Sequence, residues 1–134
     1  MNRTKSREQA FILLFEYSFE LNTPEEIINL AQEVRGEKIS NFTRNLFLGT
    51  INNLENIDKN IEEYLKNWDK SRLSRVSLAV LRLAVYEILY SQENPVSVCI
   101  NEAVELTKKY ALQDDASYIN GVLSSIEKNK IQVS

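Results

Sequence analysis

The sequence predicts an all-α protein. Glycine occurs only three times and proline twice in 134 residues. Apolar residues recur at spacings of three and four, and no segment alternates apolar with polar residues as a half-buried strand does. The length suits one domain, and 43% apolar with 26% charged residues is an ordinary globular composition. We therefore predict about seven helices in one compact domain over residues 1–129, followed by a frayed tail at 130–134.

The first helix is predicted from about Lys5 to Glu20, because apolar residues recur along "AFILLFEY". A late start would let Ser6 and Gln9 form a capping box. The second helix has a clearer beginning. Thr23 is the predicted cap, and Glu26 completes a T-x-x-E capping box around Pro24. Gly36 is expected to end this helix.

Ser40 is the predicted cap of the third helix. Gly49 lies inside that helix at a cost of about 1 kcal/mol relative to alanine, which a close approach between helices would explain. A break near Asn53 precedes the fourth helix. Its apolar face is predicted to contain Ile57, Ile61, Tyr64, Leu65 and Trp68.

After a connecting turn, "DKSRLSR", the fifth helix is predicted over "VSLAVLRLAVYEILY". It is apolar around most of its circumference, which indicates a central position with neighbours on several sides. Arg82 is its only cation, with Glu87 five residues further on. We interpret Arg82 as a member of a buried ion pair rather than a ligand-binding residue.

The sixth helix is predicted to open at Asn94–Pro95 and to run to about Tyr110. The seventh is predicted to begin near Asp114 or Asp115, where a carboxylate can cap it. The dipeptide Asn120–Gly121 is typical of hairpin turns, but here it falls inside a helical period. We therefore expect a tight packing point there.

Several kinds of chemistry are not supported by the sequence. Histidine is absent, which excludes histidine-based triads and zinc sites, and no phosphate-binding loop motif occurs. Cys99 lies in an apolar run and is read as a small buried hydrophobe. Glu105 is expected to pair with Lys108 or Lys109 on a helix surface rather than to form a catalytic pair with Glu102. The sequence therefore predicts no metal site and no cofactor site.

The N-terminal end of the first helix carries Arg3, Lys5 and Arg7, where the helix dipole would favour acidic residues. The net charge of the chain is −3, so the protein is not generally basic. A solvated basic arm is one explanation. The alternative is a phosphate-binding site, in which arginine side chains and free amides of the first turn hold an RNA backbone. Tyr64 or Tyr118 would then be available to stack on bases.

Three segments carry a resemblance to a known family. They are "SREQAFILLFEY", "NWDKSRLSRVSLAVLRLAVYEIL" and "PVSVCINEAVELTKKYALQDDASYINGVL". In order and spacing, and over essentially the full length, the chain resembles the NusB family of bacterial transcription antitermination factors. The resemblance implies two helical halves packed together and a non-enzymatic protein. It also implies binding of boxA RNA as a heterodimer with ribosomal protein NusE, in an assembly with NusA, NusG and RNA polymerase.

The resemblance assigns site residues as well. It places RNA at Arg3, Lys5 and Arg7, and it adds residues of the last two helices. These are Asp114 and Tyr118, with Lys109 and Asn120 as weaker candidates. Tyr64, at the fourth helix, is weaker still. Phe15 matches an aromatic position on the NusE-facing surface. Ser77 falls where the family commonly has an acidic residue that contacts NusE.

The chain departs from the family pattern in two places. Thr4 and Ser6 interrupt the arginine-rich start, which implies lower intrinsic RNA affinity and more reliance on NusE. The serine at position 77 implies that the acidic contact is replaced or that NusE binding rests on other residues.

Two other functions remain open from sequence. The chain could be a structural, self-associating helical module, or an accessory domain of RNA-modification machinery. No run approaches the roughly 20 apolar residues of a membrane span, and no signal peptide is recognisable. We therefore expect a cytoplasmic protein that is a monomer or homodimer when free.

Overall fold

The structure, a computed structural model, describes residues 2–65 and 73–133, with side chains described to residue 129. The described residues form helices joined by turns, which confirms the all-α class. The helices are α1 Arg3–Tyr17, α2 Pro24–Asn29, α3 Asn41–Asn52, α4 Leu54–Glu63, α5 Arg75–Tyr86, α6 Val96–Tyr110 and α7 Gln113–Val133. A π-helical turn continues α2 over Leu30–Val34, and another continues α5 over Glu87–Ser91.

Helix α1 begins two residues earlier than predicted. The Asn2 side chain caps it by accepting a hydrogen bond from the Lys5 amide at 2.8 Å. The late start with Ser6 and Gln9 as a capping box is therefore wrong, since both residues lie inside the helix. The helix also ends before Glu20, which has a positive φ of 58°.

The predicted caps of the next two helices are confirmed. The Thr23 hydroxyl accepts from the Glu26 amide at 3.2 Å, and the Glu26 carboxylate accepts from the Thr23 amide at 3.0 Å. Gly36 follows the π-helical turn with a φ of 67°. The Ser40 hydroxyl caps α3 by accepting from the Thr43 amide at 3.1 Å.

Helix α4 ends at Glu63, so Tyr64 and Leu65, which were predicted to be helical, follow it. The predicted position of Trp68 and most of the turn after it lie outside the described residues. In the last helix the backbone is helical through Val133. The single domain over 1–129 and the frayed tail at 130–134 stay predictions.

Helix α5 is the centre of the fold, as its sequence predicts. It packs against α1, α3 and α4 on one side and against α6 and α7 on the other. One hydrophobic cluster runs through both groups of helices. Its fully buried members on α5 include Val80, Leu81 and Val85. The arrangement fixes α1 beside α6, which positions the candidate site described below.

The two helical glycines have opposite environments. A β-carbon on Gly49 would overlap the hydroxyl group of Tyr86, so the predicted close approach of helices at Gly49 is confirmed. A β-carbon on Gly121 would meet nothing within 4 Å. The predicted packing point at Asn120–Gly121 is therefore wrong.

The ion pair predicted at Arg82 is present, but it is only partly buried, with 15% of the Arg82 side chain and 16% of the Asp58 side chain exposed. The Arg82 guanidinium donates to both carboxylate oxygens of Asp58 at 2.9 and 2.8 Å, which ties α5 to α4. Glu87, the neighbouring acid in sequence, pairs with α1 instead. Helix α7 begins at Gln113, so Asp114 and Asp115 lie inside it and neither is the N-cap residue that the sequence predicted. The Asp115 carboxylate instead reaches back and accepts from the Leu112 amide at 3.1 Å. None of the described helices combines the length and apolar character that crossing a membrane requires.

Candidate nucleic-acid interface

Arg3 lies at the exposed start of α1 and contacts the loop before α6. Its guanidinium donates to the Asn94 side-chain oxygen at 2.7 Å and lies 3.7 Å from the Glu93 carboxylate. It also lies 4.5 Å from the centre of the Phe42 ring. About 53% of the Arg3 side chain stays exposed. The cation is therefore oriented by its neighbours and still open to a phosphate.

Lys5 is the freest cation of this segment. Its side chain is exposed, and it has no ion pair within the described part of the chain. A lysine ammonium on a flexible stem can follow an RNA backbone as a point charge. Arg3 and Lys5 together provide two accessible positive charges at the first turn of α1.

Arg7 does not share this exposed position. Only 3% of the residue is accessible, and its Nε donates to the two Glu87 carboxylate oxygens at 2.8 and 3.1 Å. Its Nη1 lies 3.8 Å from Glu102. The sequence-based placement of Arg7 on a phosphate-gripping surface is therefore wrong. Arg7 lies one helical turn after Arg3. At that turn α1 is covered by α6, so the Arg7 side chain is buried whereas Arg3 is exposed.

Lys109 is held against α1 by Glu8. The Glu8 carboxylate accepts from the Lys109 ammonium at 2.5 Å and from the Tyr110 hydroxyl at 2.6 Å. The hydrogen bond from Lys109, followed by that from Tyr110, lowers the pKa of Glu8. The same carboxylate raises the pKa of Tyr110. The Tyr110 ring packs 5.0 Å from Phe11, which fixes the end of α6 on α1.

A shallow groove of about 370 Å³ follows this contact between α1 and α6. The Thr4 hydroxyl donates to the Glu102 carboxylate at 2.8 Å across it. The predicted surface pair of Glu105 with Lys108 is confirmed at 3.6 Å. The groove is lined by Thr4, Glu8, Glu102, Glu105, Leu106, Lys108 and Lys109. Its charge is mixed, so the basic surface is limited to separate cations rather than one continuous patch.

The candidates on α7 are divided between its faces. Asp114 is exposed, and Tyr118 lies one turn further on, half-buried against the core. Burial raises the pKa of Tyr118. Asn120 is exposed two residues after Tyr118, and that spacing directs it to nearly the opposite side of the helix. Tyr64, the weakest candidate, packs on the core after the end of α4.

Phe15 belongs to a row of aromatic rings that begins on α1 and continues just past its end. It lies 6.5 Å from Phe11 and 5.1 Å from Phe19, measured between ring centres. Arg75 covers the Phe19 ring at 4.5 Å. Ser77, in contrast, is buried, with only 2% of the residue exposed. Of the two possibilities that the sequence left open at this position, burial favours NusE binding through other residues, and a direct contact of Ser77 with NusE stays an untested prediction.

The acidic partners of the cations were missed from sequence. Glu8, Glu87 and Glu102 contact residues 80 to 102 positions away along the chain. Such pairs leave no periodic or local signal.

The fold and this surface define a small all-α domain with isolated accessible cations at the start of α1. The model of the NusB family matches residues 4–128, and the chain belongs to this family. It is 42% identical to the transcription antitermination protein NusB of Clostridium botulinum, over 96% of this chain and 99% of that protein.

Solved structures show the same likeness. The chain is similar to one in the crystal structure of a plectonemic RNA supercoil, with a TM-score of 0.88 and 30% identity over 98% of each chain. It is also similar to one in the crystal structure of the antitermination factors NusB and NusE in complex with double-stranded RNA. There the TM-score is 0.84, with 28% identity over 95% of this chain and 96% of the other.

Proposed function

We propose that this protein is a transcription antitermination factor. It binds boxA-type single-stranded nascent RNA together with ribosomal protein NusE and promotes read-through in ribosomal RNA operons. The observation that carries the proposal is membership of the NusB family across residues 4–128. The protein is proposed to act by binding rather than by catalysis. Because bacterial transcription takes place in the cytoplasm, a cytoplasmic location is part of the proposal.

Arg3 and Lys5 are the proposed first contacts for RNA phosphates. Both are accessible, and the arginine can donate two parallel hydrogen bonds to one phosphate. Lys109 adds a third cation once its bond to Glu8 is exchanged for one to RNA. Asp114, Tyr118 and Asn120 remain proposed RNA contacts on α7, with Asn120 on a different face of the helix from Tyr118. Arg7 is left out, since its role is internal.

NusE is proposed to bind beside the aromatic row that contains Phe15. Exposed apolar residues near that row support a protein partner rather than RNA. They include Ile12, Phe19 and Leu21, the last of them 81% exposed. The buried Ser77 contributes through packing rather than through a direct contact. NusA, NusG and RNA polymerase are the further partners proposed for the complete assembly, and the free protein is proposed to be a monomer or homodimer.

The test is a titration of fluorescently labelled boxA RNA, followed by anisotropy, with and without NusE. A scrambled RNA of the same composition is the control for sequence dependence. We expect preferential binding of boxA that tightens with NusE. The titration is repeated at salt concentrations between about 50 and 200 mM, and the logarithm of the binding constant is plotted against the logarithm of the salt concentration. Each phosphate contact contributes about −0.7 to the slope of this plot, which is called the salt slope below. Arg3→Gln and Lys5→Gln should each make the salt slope less steep by about that amount.

Lys59→Gln is the matched control for these variants. Lys59 is an exposed lysine on α4 that pairs with Glu55 at 3.7 Å, so this substitution removes the same charge elsewhere. Binding that ignores both RNA sequence and NusE would overturn the proposed function. Equal salt slopes for Arg3→Gln, Lys5→Gln and Lys59→Gln would leave the function standing but remove α1 as its RNA contact.

A further inference from the structure

A cleft of about 450 Å³ lies beside Arg3, between α3 and the π-helical turn that follows α5. This volume is within the usual range of small-ligand sites. Its walls include Phe42, Asn45 and Asn52 from α3, Tyr86 and Tyr90 from the opposite side, and Glu93 at the following loop. None of these residues was assigned a role from the sequence.

The cleft has a rigid aromatic wall. The rings of Tyr86 and Tyr90 are stacked, with centres 5.8 Å apart and planes inclined by 14°. Tyr86 is held by its close approach to Gly49, and the Tyr90 hydroxyl accepts a hydrogen bond from the Asn56 side chain. Tyr90 is still 37% exposed. The Tyr90 ring therefore offers an accessible surface on which a further planar group can stack.

Polar groups for recognition lie around this stack. Asn45 and Asn52 are exposed, and their side-chain amides form no hydrogen bond within the described part of the chain. Each amide offers both donors and an acceptor. Among the residues that the structure describes, Glu93 is the only charged one that lines the cleft. The interior thus suits a neutral planar ligand with amide-like edges and disfavours a phosphate.

Arg3 connects the cleft to the proposed RNA contacts. Its guanidinium lies over Phe42 and beside Glu93, and both of these residues line the cleft. A phosphate bound at Arg3 would therefore lie at the mouth of the cleft. The base of the same or the next nucleotide is the group that can reach inside.

We propose that this cleft binds one unstacked nucleobase of the RNA strand whose phosphate contacts Arg3. The base stacks on Tyr90, and the Asn45 and Asn52 amides contact its edge. Sequence-specific RNA recognition commonly combines aromatic stacking with hydrogen bonds to an exposed base edge. Glu93 accepts hydrogen bonds only, so it favours a base with an exocyclic amino group. The proposal rests on the proposed RNA-binding function and adds a base-specific site to it.

The test compares Tyr90→Ala with Tyr90→Phe in boxA RNA titrations. Alanine removes the stacking surface, whereas phenylalanine keeps the ring and loses only the hydroxyl group. Base stacking on an aromatic side chain is worth about 1–3 kcal/mol per base, so Tyr90→Ala should weaken binding about fivefold or more. Tyr90→Phe should bind within about twofold of wild type. The salt slope should not change in either variant, because no charge is lost.

An abasic scan of the RNA identifies the nucleotide concerned. One abasic position should weaken binding to wild type by about the same factor as Tyr90→Ala, and combining the two changes should add little. Asn52→Ala, a substitution of an exposed residue on α3, should weaken RNA binding several-fold. Its effect should also disappear when the RNA is abasic at the position identified by the scan. Urea unfolding of each variant establishes that the fold is retained.

The outcomes separate the two proposals. If wild type fails to bind boxA RNA, the proposed function itself is overturned, and the base-binding site with it. If wild type binds, but Tyr90→Ala and Asn52→Ala bind equally well, only the base-binding site is overturned. A loss of NusE binding without a loss of RNA binding would make the cleft a protein contact, which also contradicts the proposal.

Discussion

Arg7 and Glu87 form an ion pair inside the protein, with the Arg7 Nε 2.8 and 3.1 Å from the two carboxylate oxygens. Arg7 lies on the second turn of α1, and Glu87 opens the π-helical turn after α5. Both side chains are nearly inaccessible. One cation of the basic N-terminal segment is thus a structural link between the two groups of helices.

We expect Arg7→Ala to lower the free energy of unfolding by about 3–5 kcal/mol, because it leaves the Glu87 carboxylate buried without its partner. Urea denaturation measures the change. Arg3→Ala is the matched control. Arg3 and its partner Glu93 are more than half exposed, and exposed pairs contribute at most about 1 kcal/mol.

The combined substitution Arg7→Met with Glu87→Leu provides a second check. Replacing both charges by apolar side chains of similar size should recover most of the lost stability. If Arg7→Ala were as mild as Arg3→Ala, the ion pair would not link the helices as we describe.

The contrast between Arg3 and Arg7 shows what the sequence could predict. Helix positions and caps follow local rules, and the caps at Thr23 and Ser40 appear as predicted. No local rule determines which cations of the basic N-terminal segment are exposed and which are buried. Arg3 and Arg7 are one turn apart and would share a face on an isolated helix. Packing of α6 over the second turn decides that only Arg7 is covered.

Glu8→Gln should strengthen RNA binding. The Glu8 carboxylate occupies the Lys109 ammonium, and a phosphate must displace it. Removing the charge frees this cation and also removes repulsion of the RNA backbone. Exposed pairs are worth about 0.2–1 kcal/mol, so we expect an increase in affinity of up to about fivefold at low salt. Anisotropy titration with boxA RNA measures it.

Glu55→Gln is the control for this prediction, because it removes the same charge from an exposed pair on α4. It should leave RNA affinity nearly unchanged. An equal gain in both variants would indicate a general effect of net charge. An unchanged affinity in Glu8→Gln would argue against Lys109 as an RNA contact.

The same carboxylate should make stability depend on pH. Hydrogen bonds from Lys109 and Tyr110 lower the pKa of Glu8 below its ordinary value of 4.5. A lowered pKa in the folded state stabilises the protein above pH 4.5, and this contribution is lost as the pH falls through the folded-state pKa. The stability difference between wild type and Glu8→Gln should therefore be steady near neutral pH and shrink below pH 4.5.

Urea unfolding at several values of pH measures this difference. Repeating it in a Lys109→Gln background removes the main cause of the pKa shift, so most of the pH-dependent difference should disappear. A difference that persists unchanged in that background would mean that another group lowers the pKa of Glu8.

Sequence reasoning treated the two helical glycines alike, since a helical period alone cannot tell a close approach from an open face. The position of Gly49 against Tyr86 depends on how α3 packs on α5. Gly121 lies on an exposed part of α7. The same packing places Tyr86 and Tyr90 beside α3 and creates the cleft, which explains why no sequence motif indicated it.

Gly49→Ala and Gly121→Ala should therefore have opposite effects. At Gly121 the added methyl group meets nothing, and alanine should stabilise the helix by up to about 1 kcal/mol. At Gly49 the methyl group overlaps the Tyr86 hydroxyl, and such overpacking typically costs about 1–3 kcal/mol, more than the gain in helix propensity. Urea denaturation measures both changes.

Gly49→Ala in a Tyr86→Phe background should recover little of the loss, because the ring carbons Cζ and Cε1 of residue 86 would still overlap the methyl group. Stabilisation by both single substitutions would contradict the close approach of α3 to α5.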